Sequence, residues 1–262
     1  MTRKSRSLFW IYLKELFAYP VASFIWVLAD AQTALILPMV WLAAAPNGVG
    51  GMDRAHLVSY YLVSMTASQF ITCHLMWDIA WDIREGIFSS QVIRPIGFFS
   101  FNLPRNFAWR VGKLVLFLPL AVLVYFAYAG KSHIAPIYFS WEAVASLFLG
   151  QMLSFAAAYC VALVALWTTE FFSVLRLYYL PETFLSGRIV PLGTLPLWLQ
   201  NASSWTHFRL TNAFPVQILL RDLSPVEVRR GLVLQVAWTI FFLAAGSWLF
   251  RRGTRRYTGA GM

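Results

Sequence analysis

Apolar stretches close to twenty residues long recur along this chain, and one long charged segment interrupts them. A helix of that length, rising 1.5 Å per residue, matches the roughly 30 Å hydrocarbon core of a bilayer. Charged residues make up 12% of the sequence, against about 25% in soluble domains. With 262 residues, 59% of them apolar, a water-soluble fold lacks the polar surface to cover its core. The expected fold is an all-α integral membrane protein. The net charge of +10 raises nucleic acid as a partner. Lysine and arginine, however, gather at the ends of apolar stretches, which suits lipid headgroups, and no nucleic acid is expected.

The charged interruption runs from Asp78 to Gly97 and carries Asp78, Asp82, Arg84, Glu85 and Arg94, with Gly86 inside it and Pro95 near its end. Before the first span, Phe9, Trp10, Tyr12, Leu13, Leu16 and Phe17 fall on one broad face of residues 7–19, as in a helix lying at the membrane surface. Six spans are expected, at about 21–45, 57–77, 111–129, 141–168, 171–187 and 232–250, in a single domain covering 1–262. Residues 188–228 contain Pro191, Pro196 and Pro215 between short apolar pieces, none long enough to span, and read as re-entrant or interfacial helices. The basic start resembles a signal peptide, but Lys14 and Glu15 interrupt the first apolar run and the next is too long for an h-region. Ala43–Ala45 mimics a cleavage site, and cleavage there is not expected.

With both termini in the cytoplasm, the inner side holds fourteen of the 21 lysines and arginines, as the positive-inside rule requires. Trp41, Trp77, Trp109, Trp141, Trp167 and Trp248 sit near span ends, forming an aromatic belt. Cys73 and Cys160 lie within apolar stretches without ligand-spaced partners and read as small apolar fillers.

Several segments in order resemble the permeases of ABC-2-type transporters. Leu185-Ser186-Gly187-Arg188 through Pro191-Leu192, then Leu195-Pro196-Leu197-Trp198-Leu199, is similar to an SGxxxPL…LPxWL segment of that family, and Phe214-Pro215-Val216 continues it. Ile83-Arg84-Glu85-Gly86, Ile93-Arg94-Pro95-Ile96 and the ending Arg251-Arg252-Gly253…Arg255-Arg256-Tyr257 resemble one of its subfamilies. The resemblance implies a transmembrane subunit that pairs with a second copy or a homologue. It also implies two separate ABC ATPase subunits that bind ATP and Mg, in a bacterial plasma membrane. This chain is then not an enzyme and holds no cofactor of its own. Its nearest approach to a phosphate loop, Gly130-Lys131-Ser132, has Tyr125 where the first glycine belongs.

A permease driven by a separate motor needs an inward protrusion. The resemblance assigns that role to Asp82, Arg84, Glu85, Gly86, Ile87, Arg94 and Pro95, as one short helix that Pro95 ends. The alternative is an ordinary charged loop that fixes topology. Asp30, Gln32 and Glu182 lie within spans, where ionisable groups cost about 2.5–3.5 kcal/mol. They line a translocation path, pair with Arg188 or Arg176 across a helix interface, or simply hold helices together. Ser186, Gly187, Arg188, Pro191, Pro196, Trp198 and Pro215 are the outer-gate candidates. His74 and Asp78, four apart on one helix face, read as a pair at the inner boundary or as a proton relay.

Three functions remain open on the residues alone. A permease of an ATP-driven exporter is one, and an ion-coupled secondary transporter or channel is another. No internal repeat supports the latter. An intramembrane enzyme is the third, but Ser64 and His74 are about three turns apart on one helix, too far for a nucleophile–base pair.

Overall fold

A computed structural model describes residues 3–18, 36–44, 48–129, 134–168 and 171–257, together with Val21, Ile25 and Leu28. Asp30 and Gln32, most of the first expected span, and Gly130-Lys131-Ser132 lie outside the described residues. The described chain is helical, and its one β feature is an isolated bridge between Val49 and Met52.

The N-terminal helix α1 spans Arg3–Ala18 and lies along α5, Phe98–Ala129. Leu8, Tyr12, Leu13 and Leu16 are covered at helical spacing, with Leu16 buried, whereas Trp10, Ile11 and Phe17 stay exposed. Part of the broad apolar face therefore docks on the protein and part remains available to lipid.

Helix α2 spans Arg54–Ile71 and α3 Leu75–Arg84. The stretch 57–77, expected as one span, is thus broken at 72–74. Thr72 is extended, and the Cys73 N–H, lost to the helical ladder, donates to Ser154 Oγ at 3.0 Å. A break at membrane depth persists only where such a partner exists.

A second break separates α3 from α4, Ile87–Val92. Residues 82–94 were expected as one helix ended by Pro95. Gly86 divides them, because its φ of 76° terminates α3 in the left-handed conformation. The third difference is continuity: α5 runs unbroken from Phe98, although 111–129 alone was expected as span. Arg110 and Lys113, at the start of that expected span, are both 4% exposed within a continuing helix.

Helix α6 spans Trp141–Ala162 and continues as a 3-10 turn, Leu163–Leu166. Its Ala156, Ala157 and Ala158 are buried, small enough for neighbouring backbones to approach closely. Helix α7 is Phe171–Leu185. The hairpin region then carries α8 (Leu197–Trp205), α9 (Phe208–Thr211) and α10 (Ala213–Leu219), all short.

The last helix, α11, is Pro225–Thr254, longer than the expected 232–250. Ser224 and Glu227 form a reciprocal capping box with Pro225 at the first turn, and this starts the helix before Arg229 and Arg230. It packs along α6, where Gln235 Nε2 donates to the carbonyls of Ser146 (3.0 Å) and Leu210 (2.9 Å). Phe98–Tyr128, Trp141–Leu166 and Pro225–Thr254 are each long and apolar enough to cross a membrane, with α6 the most enclosed.

Candidate functional site

The break at 72–74 is where chemistry-bearing side chains converge. Helix α7 ends at Leu185, and Gly187, with φ 76°, reverses the chain so that Arg188 folds back beside Glu182. Arg188 Nη2 is 3.2 Å from Glu182 Oε2, and its Nη1 donates to Thr72 Oγ1 at 3.3 Å. Of the two arginines expected as partners for the intramembrane polar residues, Arg188 is the one that meets Glu182. The reversed turn is fastened to α2: Tyr60 donates to the Gly187 carbonyl (2.6 Å) and Tyr61 to the Ile189 carbonyl (2.8 Å). Ala213 N–H donates to the Ser186 carbonyl (2.9 Å), and Asn212 Nδ2 to Ser64 Oγ (2.8 Å).

Tyr61, Ser64, Ser68, Gln69, Thr72 and Arg188 are among the walls of a cavity of about 160 Å³. The α2 residues among them recur at helical spacing, a hydroxyl-rich stripe on an otherwise apolar helix. Gln69 is 3% exposed and its Oε1 has no hydrogen-bond partner among the described residues. The arrangement offers hydrogen-bond donors and acceptors at the centre of the bundle. Among the described residues no group of three His, Cys, Asp or Glu is placed to hold a metal ion.

His74 and Asp78 do not pair. His74 Nδ1 lies 3.3 Å from the Tyr179 hydroxyl, which also accepts from Trp77 Nε1 at 2.9 Å. Asp78 instead meets Arg105 at 3.3 Å.

Below the break, α3 and α4 form a two-helix knob. Gln91 Nε2 donates to Asp82 Oδ2 at 2.7 Å, tying the two helices across Gly86, and Arg105 approaches Asp82 at 3.8 Å. Phe88 is buried between Phe98 and Tyr257, each ring centroid 5.0 Å away. The Tyr257 hydroxyl donates to the Ile83 carbonyl at 3.3 Å, so the end of the chain clasps the knob. Of the expected coupling residues, Arg84, Glu85, Ile87, Arg94 and Pro95 are exposed, while Asp82 and Gly86 are partly covered. Ile93, between them, is 84% exposed. The Arg94 guanidinium stacks 5.0 Å over the Phe101 ring.

The outer-gate candidates are spread. Ser186 and Pro191 are buried at the turn, Pro196 caps α8, Trp198 is exposed, and Pro215 is buried within α10. Sequence reasoning missed Tyr60, Tyr61, Thr72, Ser154 and Tyr179. Adjacent tyrosines amid aliphatic residues were the available signal for the first two.

A helical bundle with membrane-length helices, a polar break among them and a charged knob beneath suits a membrane-embedded subunit. Residues 28–261 match the family described as ABC-2 family transporter protein. The chain belongs to that family and is a permease component of an ABC transporter, located in a membrane. No curated protein and no solved structure shows a significant match to it.

Proposed function

We propose that this chain is the permease subunit of an ATP-driven exporter in a bacterial plasma membrane. It forms the translocation path with a second copy or a homologue. Two ABC ATPase subunits, which bind ATP and Mg, drive it. In this reading six spans carry the chain across with both termini cytoplasmic, residues 78–97 meet the motor, and 188–228 cap the outer side. Asp30, Gln32 and Glu182 belong to the path or the permease interface.

The observation that carries the reading is the build of the knob. Helix α3 has ten residues, a rigid strut of about 15 Å. One end is the break beside Arg188, and the other is the Gly86 elbow with exposed Glu85, Ile87, Ile93 and Arg94. In this reading a push on α4 is carried along this single strut to Thr72 and His74 at the wall of the 160 Å³ cavity. Pairing of Glu182 with Arg188 also gives one intramembrane charge a structural reason without ion coupling.

Two measurements test this. An Ile93→Cys variant, displayed on the surface, should react with membrane-impermeant maleimide only from the cytoplasmic face and crosslink to a nucleotide-binding protein in native membranes. Labelling from the opposite face would sink the assignment. In the purified complex, Glu85→Arg with Arg94→Glu should leave the subunit folded and abolish cargo-stimulated ATP hydrolysis. Unchanged stimulation argues against coupling through these residues.

A further inference from the structure

Polar groups at the wall of the 160 Å³ cavity are not all used by the protein itself. That volume gives room for about five waters, or for a small ring in their place. We propose that the cavity takes an uncharged, hydroxyl-bearing group, the head of the cargo. Gln69 Oε1 accepts from that group, and the Ser64 and Thr72 hydroxyls donate to it. Calling the occupant cargo rests on the export reading; the binding chemistry does not.

Gln69 carries the argument furthest. It is 3% exposed, and its Oε1 has no hydrogen-bond partner among the described residues. An unpaired acceptor so deeply buried is costly unless something in the cavity completes it. The hydroxyls are the second feature. Thr72 Oγ1 accepts from Arg188, and Ser64 Oγ accepts from Asn212. Each oxygen therefore keeps a hydrogen of its own to donate. All three residues line the cavity. A hydroxyl, which both donates and accepts, matches one acceptor set among two donors.

Charge decides the class of ligand. Arg188 is the one Asp, Glu, Lys or Arg among the described lining residues, and Glu182 meets it at 3.2 Å. The other titratable ring in the wall, His74, has Nδ1 3.3 Å from the Tyr179 hydroxyl. An anion would have to displace Glu182, and a cation would face Arg188. Either would leave an unpaired charge buried, which a neutral group avoids. Leu37, Met65 and Ile189 also line the space. Apolar contact with a few placed polar groups is the usual make-up of a small-molecule site.

The test uses the full-length protein, with any subunits that copurify, in lipid nanodiscs without nucleotide. Cys73 and Cys160 are replaced by alanine, and Ser68→Cys reports on the wall. Its modification by a small methanethiosulfonate is followed by mass on this chain. The probes share an octyl tail: 1-O-octylglycerol, its dimethyl ether, octyl sulfate and octyltrimethylammonium. Octylglycerol should slow modification most. Gln69→Leu should raise the concentration giving half protection about fivefold, the size of one neutral hydrogen bond.

Gln69→Leu removes an unpaired polar atom, so its melting temperature should equal or exceed that of the parent. A lower one means that the amide is already paired within the protein, and overturns the proposal. Equal protection by octylglycerol and its dimethyl ether overturns it, because the tail alone then suffices. Absence of protection assigns the cavity to water and overturns it too. Stronger protection by either charged probe refutes the neutral class. Met65→Cys, on the same wall, replaces an unreactive Ser68→Cys; if neither reacts, the cavity is closed to ligands and the proposal fails. Because no nucleotide is present, these results stand apart from those of the coupling variants, which test the export reading.

Discussion

The Arg188–Glu182 pair is the most exacting place to perturb this structure, because each partner's loss has a different cost. The Glu182 side chain is 11% exposed and that of Arg188 25%. Breaking a fully buried pair by removing one partner costs about 3–5 kcal/mol. Arg188→Met strands the more enclosed carboxylate and removes the donor to Thr72, so the expected loss is about 3 kcal/mol. Glu182→Leu strands the less enclosed cation, whose long stem reaches toward water, and the expected loss is about 1–2 kcal/mol.

The double variant, Glu182→Leu with Arg188→Met, strands neither charge. It should therefore cost less than the sum of the singles, leaving a coupling energy of about 1–2 kcal/mol. Reversible unfolding of the four proteins in mixed micelles, titrated with the denaturing detergent, reads these differences directly. Additivity within about 0.5 kcal/mol would falsify the claim that the pair acts as a unit at the break. Thr72→Val should lose only the contribution of one hydrogen bond, about 1 kcal/mol, and serves as the internal scale.

Two further outcomes follow from contacts at opposite ends of the bundle. Tyr257→Phe keeps the ring against Phe88 and loses the hydroxyl bond to Ile83, so it should cost about 0.5–1.5 kcal/mol. Tyr257→Ala also removes the ring and should release the knob, seen as faster hydrogen exchange across 83–92. Unchanged exchange there refutes the clasp. At the other end, His56 Nε2 meets Asp222 Oδ2 at 3.0 Å, joining the start of α2 to the turn before α11. The hydrogen bond to Asp222 raises the His56 pKa, with burial opposing it. A raised folded-state value means the contribution is fully present below the ordinary histidine value of about 6.5 and is lost as pH rises through the folded value. Stability measured from pH 6 to 8 should therefore fall in the parent protein and fall less in Asp222→Asn; identical slopes refute the pair's contribution.

The apolar stretches were legible because their length alone fixes what they can do in a bilayer, and the helices at 141–166 and 225–254 follow from that. The charges between 78 and 97 mark an interruption of the apolar stretches, but they do not reveal the elbow within it, although Gly86 is in plain view. A single glycine inside a helical pattern is usually tolerated, and it is the left-handed φ of 76° at Gly86, with Gln91 tied back to Asp82, that shows this one turning the chain.

The break at 72–74 left still less trace. Thr72-Cys73-His74 contains neither glycine nor proline, and the group that satisfies the freed Cys73 N–H is Ser154, on another helix. A helix interruption whose compensation lies eighty residues away has no local signature. Arg188 illustrates the same limit from the opposite direction. Six residues beyond Glu182 on a straight helix, it would point some 240° around the axis, away from its partner. The left-handed turn at Gly187 removes that obstacle. Fastening that turn to Tyr60 and Tyr61 of α2 decides which arginine neutralises the buried carboxylate. The polar centre of this bundle is therefore a property of where α2, α6 and α7 meet, and no one of those segments carries it alone.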